Sequence, residues 1–204
     1  DSCWVKNVEI YNTPGKASIL MYASYRCEVR HCTIHSSLNQ AAGQGYGTAL
    51  YHFCSGNLVE DNIYYDLHAC GPNVQYGSSG NVMAYNYEFG GYTNGGVQCA
   101  SMNTHGTHAF MNLWEGNYSA DKVLGDWTHG SSSHNTVFRS RVTGNGNNPS
   151  AYDQRTCVSI EYYNRYWNIV GNILGVTGVQ NKYLQDSSSI SSGSQGTILV
   201  VGGE

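Results

Sequence analysis

The sequence is poor in charge. Only 12% of its 204 residues are charged, and the formal net charge is -4, with 10 Lys and Arg residues spread thinly along the chain. Proteins that bind nucleic acids or anionic membranes carry clusters of positive charge, so this distribution excludes both kinds of partner. No run of about 18 apolar residues is present, which excludes a membrane-spanning helix.

Also absent are C-x-x-C pairs, an initiator Met and a signal-peptide pattern. The missing C-x-x-C spacing argues against zinc and redox motifs, and the sequence predicts no cofactor. For the seven cysteines, disulfides formed in an oxidising compartment are the expected state, with buried free thiols as the alternative. Seven is odd, so at least one thiol must be free or paired with another chain. We interpret the sequence as a mature or truncated product of a secreted, extracellular protein.

Polarity comes instead from Asn, Ser, Thr, Gly and Tyr. The chain has 25 Gly and 17 Tyr but only 3 Pro. This composition is typical of an all-β, turn-rich extracellular protein rather than of a cytosolic helical enzyme.

A pair of Asn residues five positions apart recurs along the chain. The pattern N-x-x-x-x-N begins at Asn57, Asn81 and Asn112, and each time an aromatic or aliphatic residue follows it. Weaker copies have Asn7, Cys32, Ser140 and Asn172 at the second position. The seven anchors are 23 to 32 residues apart. A period in the twenties with variable excess is typical of a β-solenoid whose strands keep their length while one loop changes.

The repeat predicts an all-β fold, a right-handed parallel β-helix with three strands per coil and one coil for each anchor. It predicts one domain over residues 1–204, either complete or a fragment of a longer chain. The second Asn is expected at a sharp corner, because Asn tolerates the left-handed backbone region and its amide can bond to the Asn one coil away. Leucine-rich and helical solenoids are excluded, since the chain has no Leu frame and no 3.6-residue periodicity.

Another corner of the coil is predicted to carry loops of variable length, where the binding sites of rigid scaffolds usually lie. The predicted loops span residues 13–16, 38–47, 67–73, 143–156 and 177–196. The apolar strand 197–201 is expected to form an uncapped edge of the solenoid. Such an edge favours contacts with further copies of the chain, stacked end to end.

Through its N-x-x-x-x-N coils, the chain from residue 2 to 201 resembles the pectate-lyase-like superfamily of right-handed parallel β-helix proteins. That superfamily includes polysaccharide lyases, polygalacturonase-like glycosidases and phage tailspikes. The chain lacks the D-D, G-H-G and R-I-K motifs of polygalacturonases, and the W-I-D-H and R-x-P-x-x-R motifs of pectate lyases. The resemblance therefore implies the fold but assigns no catalytic residue.

The tripeptide T-H-G occurs twice, with His105 and His129 spaced by 24 residues, which is one coil. His105 is expected to stack on His129, with His108 and His134 further along the same coils and Asp126 at the preceding strand end. These five residues are the candidate catalytic group, because imidazoles and a carboxylate can supply a general base and acid. The alternatives are a metal bound by neutral imidazoles and a turn repeated for structural reasons.

Polar and aromatic residues that fall near the ends of the first strand of several coils are the candidate substrate-binding group. Aromatic rings offer sugar rings an apolar surface, and their hydroxyls can form hydrogen bonds. The candidates are Tyr51, His52, Tyr76, Glu161 and Tyr162.

Two functions follow from these features. The first is an extracellular protein that binds a polysaccharide along its long side and cleaves it, as a lyase or glycosidase, near the histidines. The second is a structural or adhesive β-solenoid whose copies stack end to end into an extracellular fibre. Neither function requires a nucleic acid, a membrane or a cofactor.

Overall fold

The computed structural model describes residues 1–69, 71–91, 100–146, 155–186 and 196–202. The predicted fold is confirmed: the chain winds into a three-faced right-handed parallel β-helix of about seven coils. Among the residues described, no helix is long and apolar enough to cross a membrane.

The three faces are parallel sheets, each receiving a strand from successive coils. Sheet A contains β1 (Trp4–Lys6), β4 (Glu28–Arg30), β7 (Leu58–Glu60), β10 (Val82–Ala84), β13 (Leu113–Glu115), β16 (Thr136–Phe138) and β19 (Asn168–Val170). Sheet B contains β2 (Glu9–Tyr11), β5 (Thr33–His35), β8 (Ile63–Tyr65), β11 (Tyr87–Phe89), β14 (Tyr118–Ser119), β17 (Arg141–Val142) and β20 (Ile173–Leu174). Sheet C contains β3 (Ala17–Tyr22), β6 (Tyr46–Tyr51), β9 (Pro72–Gln75), β12 (Met102–His105), β15 (Val123–Gly125), β18 (Val158–Ile160), β21 (Gln180–Asp186) and β22 (Gly196–Val201).

The core fills the space between the sheets with one inward residue from each short strand. In sheet A, Val59, Met83 and Trp114 are aligned by the register and have no exposed surface. Alternation along the strands sends their neighbours outward. The parallel register therefore builds columns of side chains along the helix axis, on the inside and on the outside.

Two ladders of asparagine amides run through the corners that flank sheet A. In the first ladder, Asn57 Nδ2 donates to Asn81 Oδ1 at 2.9 Å, and Asn81 Nδ2 donates to Asn112 Oδ1 at 3.0 Å. In the second, Asn62 Nδ2 donates to Asn86 Oδ1 at 3.0 Å, and Asn86 Nδ2 donates to Asn117 Oδ1 (3.1 Å). The predicted amide stacking between coils is thus confirmed.

The predicted backbone conformation at this corner is wrong by one residue. The left-handed residue is the one before the ladder Asn, as in Asp61 at φ 54° and Tyr85 at φ 54°. The turn requires a left-handed conformation at this residue, so that the side chain of the next residue points inward. In the first coil Asn7 itself is left-handed, at φ 58°. Its neighbour Val8 therefore takes the ladder position, and the anchor at Asn7 is corrected to Val8.

The predicted disulfides are wrong for the described cysteines. Cys3, Cys27, Cys32, Cys54 and Cys157 are free thiols, and Cys70 and Cys99 lie outside the described residues. Two of them occupy ladder positions: the backbone N–H of Cys27 donates to Asn57 Oδ1, and that of Cys32 donates to Asn62 Oδ1. These thiols are small buried side chains at the places that Asn fills in later coils.

The predicted open edge after residue 197 is also wrong. β22 lies between β18 and β21, and pairs in parallel with both. β21 falls inside the segment 177–196 that was expected to be a loop. The apolar residues of β22 therefore have neighbours on both sides, and β21 forms the edge.

Candidate functional site

One outward column of sheet C contains four of the ten predicted site residues. The register aligns Tyr22 with Tyr51 and His105 with Gln75, and it places Asp126 and Glu161 at the same position in the next two coils. We call this line the outer column; it consists of Tyr22, Tyr51, Gln75, His105, Asp126 and Glu161. Five steps of about 4.8 Å make it about 24 Å long.

His105 and Asp126 are direct neighbours in the outer column. His105 Nδ1 lies 2.7 Å from Asp126 Oδ2. When Nδ1–H donates to this carboxylate, the lone pair of Nε2 is left free to accept a proton. Burial raises the pKa of Asp126, while the hydrogen bond and charge of His105 act in the opposite direction. The pair therefore orients the imidazole as an acid–base group.

His129 lies beside this pair rather than directly above His105. The two imidazole centroids are 5.3 Å apart, with the rings nearly perpendicular. The expected partner one coil away was His129, because the two T-H-G copies are 24 residues apart. The strand register instead sets His105 against Asp126, and His129 approaches from the turn that follows β15.

Tyr51, His52 and Tyr76 form an aromatic cluster next to His105. The rings of His52 and Tyr76 stack at 4.9 Å, and the Tyr51 and Tyr76 rings meet edge to face at 5.1 Å. The Tyr76 ring reaches within 6.3 Å of the His105 ring. It also lies against Gly106, where an added Cβ would collide with it. Gly106 thus gives Tyr76 its place beside the His105–Asp126 pair.

The Tyr76 phenol has a perturbed acidity. Burial raises its pKa, and the neighbouring Tyr51 and the charge of Asp126 raise it further. The phenol therefore binds its proton more tightly than a free tyrosine does, and at neutral pH it is protonated and can donate a hydrogen bond. The aromatic cluster therefore holds a proton donor as well as an apolar surface.

A cation lies at one end of the aromatic cluster. Lys16 Nζ sits 4.1 Å from the centroid of the Tyr51 ring, at the position for a cation–π contact. Sequence reasoning missed Lys16, because it lies in a short loop before β3 with no motif around it.

The remaining binding candidates lie on the other side of Asp126. Glu161 Oε2 accepts a hydrogen bond from the backbone N–H of Trp127 at 3.3 Å. The rings of Trp127 and Tyr162 meet edge to face at 5.7 Å. The exposed Trp127 was not among the candidates, although it directly follows Asp126 in sequence.

His108 and His134 form a separate cluster. His108 Nε2 and His134 Nδ1 lie 2.7 and 2.8 Å from the same atom, Ser133 Oγ. The His134 ring also packs on Tyr166 at 4.7 Å. The five catalytic candidates therefore divide into two groups. His105 and Asp126 lie on the outer column with His129 beside them, and His108 and His134 are joined by Ser133, which sequence reasoning missed.

Within the described ranges, no three His, Cys, Asp or Glu side chains are placed to hold a metal ion. The comparisons with known proteins add no assignment: no family model, no curated protein and no solved structure matches this chain.

Proposed function

We propose that this chain is an extracellular protein that binds a polysaccharide along the outer column and cleaves it beside His105. The observation that supports the proposal most is the His105–Asp126 pair, which has Tyr51 and Tyr76 on one side and Trp127 on the other. The pectate-lyase-like resemblance agrees with this proposal, because β-helix enzymes of that superfamily act on long carbohydrate chains.

In the proposed reaction His105 is the base. Its Nδ1 is held by Asp126 at 2.7 Å, so Nε2 is the nitrogen that can accept a proton from the sugar. Asp126 stabilises the resulting imidazolium, because a carboxylate beside a protonated imidazole favours its charge. Tyr76 is the acid: its phenol stays protonated and can deliver a proton to the departing glycosidic oxygen.

This pair favours β-elimination over hydrolysis. Glycoside hydrolysis normally uses two carboxyl groups with separate roles. The described part of the outer column offers Asp126, which is bound to His105, and Glu161, which accepts from the Trp127 amide. His105 as the base can instead remove a proton α to a sugar carboxylate, and Tyr76 as the acid can protonate the oxygen of the next sugar as it departs. Lys16 supplies a positive charge for that carboxylate.

The shape of the site suits a chain rather than a single sugar. Aromatic rings lie on both sides of His105: Tyr51 and Tyr76 toward the first coils, and Trp127 and Tyr162 toward the last. Rings at several successive coils can pack against several sugar units of one polymer. Affinity is therefore expected to rise with the length of the oligosaccharide.

The test is incubation with a panel of neutral and anionic polysaccharides, followed by assays for new reducing ends and for unsaturated sugars. The proposal predicts that one anionic polymer yields unsaturated products. His105→Gln and Tyr76→Phe should lower the rate by about 100-fold or more while oligosaccharide binding remains, because general acid–base groups contribute about that much.

His31→Gln is the matched control, since His31 is exposed at the opposite corner and contacts Asp61. It should leave the rate unchanged. Cleavage that persists in both His105→Gln and Tyr76→Phe would overturn the catalytic assignment. Absence of binding to every polymer in the panel would overturn the proposed function as a whole.

The fibre hypothesis is the second candidate. The apolar edge on which it rested, residues 197–201, lies between β18 and β21, so an end-to-end contact at this end would have to be made by β21. We favour the carbohydrate function because the His105–Asp126 pair supports it directly.

A further inference from the structure

A carboxylic acid stands in the apolar core of sheet B. The register places Glu88 in the inward column between Tyr64 and Ser119, and the same column continues with Ile34 and Val142. Glu88 is only 3% exposed. The coil pattern calls for an apolar residue here, so the fold itself does not account for the carboxyl group.

The surroundings of Glu88 are polar but incompletely paired. The backbone N–H of Gly71 donates to Glu88 Oε1 at 2.9 Å. Glu88 Oε2 and Ser119 Oγ are buried and have no hydrogen-bond partner in the described part of the chain. Both residues line a cavity of about 10 Å³, together with Ser101. A cavity of this size holds one water molecule, which could bond to the unpaired oxygens.

A second buried carboxyl group acts on the first. Asp121 is 1% exposed, and its charge raises the pKa of Glu88. The main cause of the shift is burial, the hydrogen bond from the Gly71 amide acts in the opposite direction, and the pKa of Glu88 reaches about 8. Tyr64 is the other titratable neighbour, and the charge of Glu88 contributes to raising its pKa.

We propose that Glu88 is a protonated carboxylic acid in the folded helix at neutral pH and binds one internal water molecule in this cavity. An ionised carboxylate that is buried away from solvent with one oxygen unpaired is strongly disfavoured relative to the neutral acid. The proton removes the buried charge, and it also gives Glu88 a donor for the neighbouring oxygens. A metal cation fits less well, because hard cations such as calcium require six to eight oxygen ligands.

The proton makes the fold sensitive to alkali. The pKa of Glu88 has its ordinary value of 4.5 in the unfolded chain and rises to about 8 in the folded chain. Between these values the folded chain carries a proton that the unfolded chain has released, so stability falls as the pH rises. The unfolding equilibrium constant should increase up to tenfold per pH unit across this window, and level off above pH 8.

The test is denaturant unfolding of the wild type and of Glu88→Gln at a series of pH values from 5 to 9. Glutamine keeps the shape and the hydrogen bonds but carries no ionisable proton. The unfolding equilibrium constant of the wild type should rise relative to that of the variant by up to tenfold per pH unit. The ratio of the two constants should level off near pH 8. Glu60→Gln is the matched control, because Glu60 pairs with Arg30, which stays charged from pH 5 to 9, and it should run parallel to the wild type.

Parallel pH profiles for the wild type and Glu88→Gln would overturn the proposal. So would stabilisation by added calcium or sodium that disappears in Glu88→Gln, because a cation would then occupy the site. If the variant fails to fold, infrared spectra of the wild type alone test the proposal. They should show the carbonyl stretch of a buried protonated acid at pH 7, and this band should disappear near pH 8. Absence of that band at pH 7 would also refute the proposal.

Discussion

The asparagine ladders and the outer column use the same geometric repeat in opposite ways. In the ladders, successive coils present the same residue, so Asn62, Asn86 and Asn117 bond to one another in a line. In the outer column, successive coils from the second onward present different residues, from Tyr51 to Gln75, His105 and Asp126. The coils have the same spacing in both columns, but only the ladder forms additional hydrogen bonds when neighbouring coils carry the same residue.

This contrast separates structural from functional positions. A ladder pairs every buried amide with the next, so its residues are explained once the fold is known. The outer column mixes an imidazole, a carboxylate and phenols, and this mixture gives the fold no comparable ladder of hydrogen bonds. A column whose residues change from coil to coil therefore marks the candidate site in this chain.

The largest effect should come from breaking a ladder in the middle. Asn86→Ala removes the donor to the Val59 carbonyl and the acceptor for the Asn62 backbone and side-chain N–H groups. Each buried group left unpaired costs about 1–3 kcal/mol, so we expect the free energy of unfolding to fall by about 4 kcal/mol.

Asn172→Ala is the matched control at the last rung, where the side chain is only half-buried and the loss should be about 1 kcal/mol. Urea unfolding of both variants measures the difference. Equal losses at the two rungs would mean that stacking between coils contributes little.

A somewhat smaller effect should come from changing the outer column without disturbing its shape. Asp126→Asn retains the size of the side chain but removes the charge that stabilises a protonated His105. On the substrate identified by the panel, the cleavage rate should fall by about 100-fold, while urea unfolding changes little. An unchanged cleavage rate would show that catalysis does not require a carboxylate at position 126.

The smallest effect should come from making a ladder more regular. Ser140 interrupts the second ladder between Asn117 and Asn172, and its Oγ accepts from the Asn117 backbone N–H at 3.2 Å. Ser140→Asn would extend the amide stack and should stabilise the fold by about 1 kcal/mol. Thermal unfolding measures the change, and a destabilised variant would mean that this rung has no room for the larger side chain.

The sequence predicts the fold well because the ladder residues repeat. The N-x-x-x-x-N copies identify three strands per coil without any knowledge of contacts. They do not distinguish Asn7 from Val8, since the left-handed residue and the ladder residue are adjacent and Asn suits both. The number of cysteines led to the wrong prediction of disulfides in the same region. Cys27 and Cys32 instead fill ladder positions, which have no sequence signature of their own when the residue is Cys.

The candidate site is less predictable, because it depends on register rather than on repeated letters. Two T-H-G copies suggested that His105 meets His129, yet unequal loops bring Asp126 into line with His105. Lys16 reaches Tyr51 from a neighbouring coil, and Ser133 joins His108 to His134. Glu88 looks like any strand residue in the sequence, and only its inward direction makes it unusual.

The corners of the helix differ in how freely their length varies, and this bears on how the scaffold could be re-engineered. From sheet A to sheet B every coil turns with two residues, as between β7, which ends at Glu60, and β8, which begins at Ile63. From sheet B to sheet C the connection ranges from three residues after β14 to fifteen after β17. Doubling a flexible loop costs only about 0.6 kcal/mol in closure entropy. Grafted segments should therefore be tolerated at the second kind of corner and rejected at the first, where one added residue would displace the amide stack.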